Sequence, residues 1–199
     1  MRNLKIIKPD LIVALILILA LILPVHTAAT ESRNYMAEII TALTAGDVDH
    51  ARILNVERNA KIDSMDYCPH PKIDADDLFL LSKVMTSEAG SFWLSDDWKL
   101  KVGEVVLNRV ASPEFPDTIH DVVYQRGQYG GVNSWYFANL KPNEHTVKLA
   151  LRLLEGERTM HPSVVFQAEF KQGQIHTAYY DRHLGWVYFC CSSRPWLYE

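Results

Sequence analysis

The sequence predicts a mainly helical α+β fold: one domain with a small β-sheet or hairpin, preceded by a short helical segment. Between residues 34 and 154, apolar residues recur at helical spacing in segments that open on capping residues. Past residue 160 the period changes, and Val164, Phe166, Ala168 and Phe170 alternate with Gln167 and Glu169. A chain of 199 residues with 48% hydrophobic and 11% aromatic residues has the composition of a folded protein, with room for one ordinary domain and a short appendage.

Taken in order, Arg2, Lys5 and Lys8 precede an apolar run from Leu11 to Leu23, followed by Pro24 and the small stretch Thr27-Ala28-Ala29. This is the pattern of an export signal. As a helix the run would rise only about 20 Å against a hydrocarbon core of about 30 Å, which favours a cleaved signal over a spanning helix. Extension toward Ile6 or Ala29 would approach spanning length, so an anchor through residues 11–23 stays open. In both cases the basic end remains cytoplasmic and the rest of the chain lies outside. The expected organisation is a signal peptide or membrane anchor over residues 1–29, a helical spacer and loop over 30–72, and the main domain over 73–199.

Met36, Ile39, Ile40 and Leu43, then Ala51, Ile53, Leu54 and Val56, predict two short helices punctuated by Gly46-Asp47. With no sustained heptads, a spacer is favoured over an oligomerisation element, and the chain is expected to be a monomer. Cys68-Pro69-His70-Pro71 closes this part, because two nearby prolines stop a helix. Asp74 then caps a helix with Leu78, Leu81, Val84 and Met85 along one face. Glu88 falls on or beside that buried face, at the C-terminal end where a negative charge is disfavoured, so its pKa should rise. Gly90 ends the helix.

Trp98 to Val110 is apolar around most of its circumference and predicts a buried helix, in which Gly103 should mark close approach of another backbone. Asp117 or Thr118 caps a short helix with Ile119, Val122 and Val123, and a glycine-punctuated loop runs from Gly127 to Gly131. Asn143 caps the last clear helix, with Val147, Ala150, Leu151 and Leu154 inward and Gly156 past its end. Trp186 to Cys190 is a second β-forming run.

The net charge of −4, with no clustered Lys/Arg face, excludes nucleic acid binding by counterion release. The histidines show no metal-ligand spacing on one element, so no metal or other cofactor is implied. Cys68 sits beside prolines rather than opening a helix, which disfavours a Cys-His peptidase. Three cysteines allow one bridge from Cys68 to either Cys190 or Cys191, or three unpaired core thiols.

Three blocks taken together resemble the SleB/CwlJ-type cell wall hydrolase family. They are Ser87-Glu88-Ala89 after a helix; Val105 to Val110 with Ser112-Pro113 and Phe115 to Ile119; and Val122 to Gln125 with Gly127-Gln128-Tyr129. Their order and spacing are specific, and the likeness runs from about Asp77 to Cys190. It implies a lysozyme-like fold, peptidoglycan as substrate, and Glu88 as general acid/base of a lytic transglycosylase or muramidase. Tyr124, Gln125, Gln128 and Tyr129 would form a groove that stacks and hydrogen-bonds sugars, or else pack as ordinary turn residues. Asn108 and Arg109 would orient the site, or brace the following turn.

Cleavage of a glycosidic bond needs an acid still protonated near neutral pH, and usually a second carboxylate. Asp96, Asp97, Asp117 and Asp181 qualify only by default. A lytic transglycosylase avoids the second carboxylate, because the muramic acid 6-hydroxyl attacks its own anomeric carbon. The competing reading of Glu88 is a helix-end carboxylate in a structural hydrogen bond, and the competing class is a non-catalytic wall-binding scaffold.

Overall fold

The computed structural model describes residues 33–65 and 71–198. Two helices open it, α1 (Tyr35–Ala45) and α2 (Val48–Asp63), followed by α3 (Ala75–Ala89) and α4 (Asp96–Val110). Shorter helices α5 (Ile119–Tyr124) and α6 (Trp135–Asn139) lead to α7 (Glu144–Leu154). Three strands complete the fold: β1 (Val164–Ala168), β2 (Ile175–Asp181) and β3 (Gly185–Cys191), antiparallel in the order β1-β3-β2, with a 3-10 turn at Pro195–Leu197. This is the mainly helical α+β arrangement expected, with a three-stranded sheet.

Helix starts follow local chemistry. Side chains of Asp74, Ser95, Thr118 and Asn143 accept hydrogen bonds from the backbone N–H groups of the first turns of α3, α4, α5 and α7. Gly90 ends α3 without adopting a left-handed conformation; a Cβ there would lie 2.2 Å from the Thr86 carbonyl oxygen, which makes glycine necessary.

The segment read from sequence as a spacer belongs to the same compact unit as the main domain, which spans Tyr35–Glu199. Ile39 and Leu43 of α1 and Leu54 of α2 join the same apolar core as Leu81, Val106 and Phe137. Within α7, Leu149 and Leu153 fill the inner face, whereas Leu151 and Leu154 are only partly buried. The inward stripe is therefore rotated from the one expected.

Helix α4 is buried from Trp98 to Arg109. At Gly103 the close neighbours are side chains, not another backbone: a Cβ would meet Leu153 Cδ1 and Met85 Sδ, each at 2.6 Å. Gly103→Ala trades about 1 kcal/mol of helix propensity against overpacking of about 1–3 kcal/mol. We expect a net loss of about 1 kcal/mol, read as a lower urea midpoint at unchanged slope.

A bulge between Val164 and Phe166 breaks the alternation of β1. Val164 and Val165 are both buried, Phe166 and Gln167 are both half-buried, and Phe170 lies beyond the strand and is exposed. Cys190 and Cys191 carry free thiols, the first buried and the second half-buried; Cys68 lies outside the described residues. No helix among the described residues is long and apolar enough to cross a membrane, and the apolar run over residues 11–23 lies outside them.

Candidate active site

Glu88 sits in the last turn of α3, whose Leu78, Leu81, Val84 and Met85 anchor the helix in the core. The side chain reaches solvent, yet the protein packed around its carboxyl pushes the pKa above the usual carboxylate value through desolvation. Among the described residues Glu88 makes no hydrogen bond or salt bridge, so no structural partner explains it.

A cavity of about 100 Å³ opens at this carboxyl. Its walls bring together Gln128 and Tyr129 from the loop after α5, Arg109 from the end of α4, Gln167 of β1, and Gln172 from the connection to β2. Arg109 is the brace of this wall. Its Nε donates to the Val165 carbonyl at 2.7 Å, and its guanidinium lies 5.3 Å from the Tyr129 ring centre and 5.1 Å from that of Phe115. Asn108 Nδ2 donates to the carbonyls of His161 and Val164. The pair thus fastens the start of β1 to α4, and Arg109 also packs on Phe115 in the turn after its own helix.

The cavity wall holds unpartnered polar atoms. Among the described residues, the buried Tyr129 hydroxyl and Gln167 Oε1 have no hydrogen-bond partner. Buried polar atoms are normally paired, so those lining a cavity are groups free to bond water or ligand. Burial raises the Tyr129 pKa, the Glu88 charge raises it further, and Arg109 opposes them; the phenol keeps its proton. Of the four sugar-binding residues expected from sequence, Gln128 and Tyr129 join Glu88 at this cavity. Tyr124 does not: it is exposed on α5 and leans against His120 with ring centres 4.8 Å apart. Gln125 caps the end of α5 and does not line the cavity. Gln167 and Gln172 escape a reading of the sequence, because the alternating pattern of β1 makes Gln167 solvent-facing and the bulge overrides it.

A family model described as Cell Wall Hydrolase matches residues 95–187. Residues 95–187 belong to the cell wall hydrolase family. No curated protein and no solved structure matches the chain. The matched span carries Arg109, Gln128, Tyr129, Gln167 and Gln172 and begins after Glu88.

Among the described residues, the other carboxylates considered from sequence are occupied elsewhere or exposed. Asp96 meets His145 Nε2 at 2.6 Å. Asp97 meets Lys101 Nζ at 2.5 Å and accepts the Tyr179 hydroxyl; burial pushes its carboxyl up, but the two hydrogen bonds outweigh this and hold it below the usual range. Asp181 accepts from the backbone N–H groups of His183 and Leu184. Asp117 is exposed. Among the described residues, Glu88 is the only carboxylate in the cavity wall.

Proposed function

We propose that this cell wall hydrolase cuts the peptidoglycan glycan strand as a lytic transglycosylase, with Glu88 as its one general acid/base. The observation that carries the reading is a carboxyl of raised pKa in a polar-walled cavity that, among the described residues, no second carboxylate lines. Glu88 donates its proton to the glycosidic oxygen as the bond to the muramic acid anomeric carbon breaks. The resulting carboxylate then accepts the proton of the 6-hydroxyl as that oxygen attacks the same carbon, which closes the 1,6-anhydro ring and regenerates the acid. No water enters the products. Gln128, Gln167 and the Tyr129 hydroxyl supply hydrogen bonds to sugar hydroxyl and N-acetyl groups, and Arg109 holds Tyr129 in place. A hydrolytic muramidase needs a base to activate water, and among the described residues no carboxylate besides Glu88 lines the cavity.

Mass spectrometry of fragments released from purified peptidoglycan decides between them. We expect 1,6-anhydro-muramyl ends from the native protein. Reducing muramyl ends would establish hydrolysis and overturn the transglycosylase reading, and wall binding without fragments would establish a scaffold.

A further inference from the structure

A second, larger cleft of about 420 Å³ is lined by Phe92, Trp93, Asp181, Arg182 and His183. Its walls are the loop that leaves α3 after Glu88 and the turn joining β2 to β3. We propose that this cleft is an additional saccharide-binding subsite, which holds the glycan strand beyond the cleaved bond on a Phe92/Trp93 platform.

The aromatic rings carry the argument. Phe92 is 89% exposed and Trp93 51% exposed, and they meet edge to face at 5.1 Å, so two large ring faces are presented to solvent instead of the core. Large apolar rings are costly to leave in water, and a rim of polar side chains around them is the pattern of a binding site. The rim here is Asp181, Arg182 and His183, with Arg182 Nε donating to His183 Nε2 at 2.8 Å and the His183 ring 5.7 Å from Trp93. Ring faces bordered by donors and acceptors suit a pyranose, whose C–H face stacks while its hydroxyl edge bonds.

The cleft is also held open before any ligand arrives. Leu94 buries the end of the loop, and Trp98 stacks on Tyr179 with ring centres 4.9 Å apart and planes 14° apart. Tyr179 also donates its hydroxyl to Asp97, so the strand that ends in Asp181 is pinned to the start of α4. Two backbone N–H groups then fix the Asp181 turn. Such preorganisation lowers the cost of binding.

Position connects this cleft to the chemistry. The chain from Glu88 to Trp93 can reach at most about 18 Å, a few sugar units. The Glu88 cavity, at about 100 Å³, is below the roughly 300–1,000 Å³ of a pocket that encloses a small ligand, so a strand cut there rests on further surface. The proposal rests on glycan-strand cleavage at Glu88 and assigns the side chains that grip the strand away from it.

The test uses the full chain, long glycan strands and short muropeptides as substrates, and an N-acetylglucosamine oligosaccharide as binding probe. For Trp93→Ala we expect KM on long strands to rise roughly tenfold with kcat little changed, and no change on short fragments. Oligosaccharide affinity should fall by a similar factor, and quenching of Trp93 fluorescence should disappear. Phe92→Ala should act in the same direction; at 89% exposure its folding is secure. Trp196→Ala, another exposed indole, should change nothing. Equal KM and equal oligosaccharide affinity in native, Phe92→Ala and Trp93→Ala proteins would overturn the proposal. If the native protein releases no fragments from any wall, glycan cleavage falls, while the oligosaccharide titration still reports on the cleft.

Discussion

Glu88→Gln is expected to abolish fragment release from peptidoglycan, with kcat/KM falling at least roughly 10²–10⁴-fold, the range contributed by a positioned acid or base. The substitution keeps the side chain's size and removes its transferable proton. Because one group serves both halves of the proposed reaction, no other carboxylate in the cavity can take over. Binding to wall material should persist, since the cavity's amides and aromatic ring are untouched; retained release of fragments by the variant would remove Glu88 from the mechanism. The pH profile adds an independent reading. Desolvation raises the Glu88 pKa above its ordinary value of 4.5, so the proton needed for the first step is still held at higher pH. Activity should therefore fall on an alkaline limb, as pH rises through that raised pKa. A carboxylate pair would add an acidic limb from the partner that must be ionised; a single limb is expected here.

The same shift has a consequence for stability. A carboxyl whose pKa is raised on folding favours the folded state while protonated, below its unfolded-state pKa, and this contribution is lost as pH rises through the folded-state value. At neutral pH the native side chain is then a mild burden and the neutral Gln is not. Glu88→Gln should melt no lower than the native protein, which separates loss of chemistry from loss of fold.

The parts of the fold legible in the sequence are those set by neighbours within a turn or two. Asp74, Thr118 and Asn143 cap the helices they precede because the bonds involved span only two or three residues. Glu88 is legible through its place after the apolar stripe of α3 and through the blocks around it. Features that cannot be read this way depend on distant partners. Helix α6 is only five residues long, too short for a period, and is held by Ser134 and the buried Phe137. Strand β2 has no clean alternation, because Ile175 and His176 are both exposed, Thr177, Ala178 and Tyr179 are all half-buried, and a register shift follows Ile175. Gln167 enters the cavity wall only because a bulge turns β1, and Arg109 becomes its brace only once Val165 is brought alongside.

Glu104 is the strongest instance of a long-range contact, and it carries the largest expected effect on stability. It lies wholly buried in α4. Its two carboxyl oxygens each accept from the Thr159 backbone N–H at 2.9 Å; one also accepts the Met160 N–H at 2.7 Å and the other the Thr159 hydroxyl at 2.8 Å. The chain between α7 and β1 has no regular structure to satisfy these N–H groups, so Glu104 acts as their cap and fixes where the sheet begins. Glu104→Ala removes four hydrogen bonds and leaves two backbone donors and a void, a loss of about 3–5 kcal/mol. That is a large share of the about 5–15 kcal/mol that holds a domain together, and should lower Tm by about 10 °C or more. Glu104→Gln retains one acceptor oxygen and should lose roughly half as much. Since β1 supplies Gln167 and Val165 to the site, glycan cleavage should weaken in step with the melt. A change in stability within about 0.5 kcal/mol for Glu104→Ala would mean that water replaces the carboxyl, and that α4 positions the sheet through Asn108 and Arg109 alone.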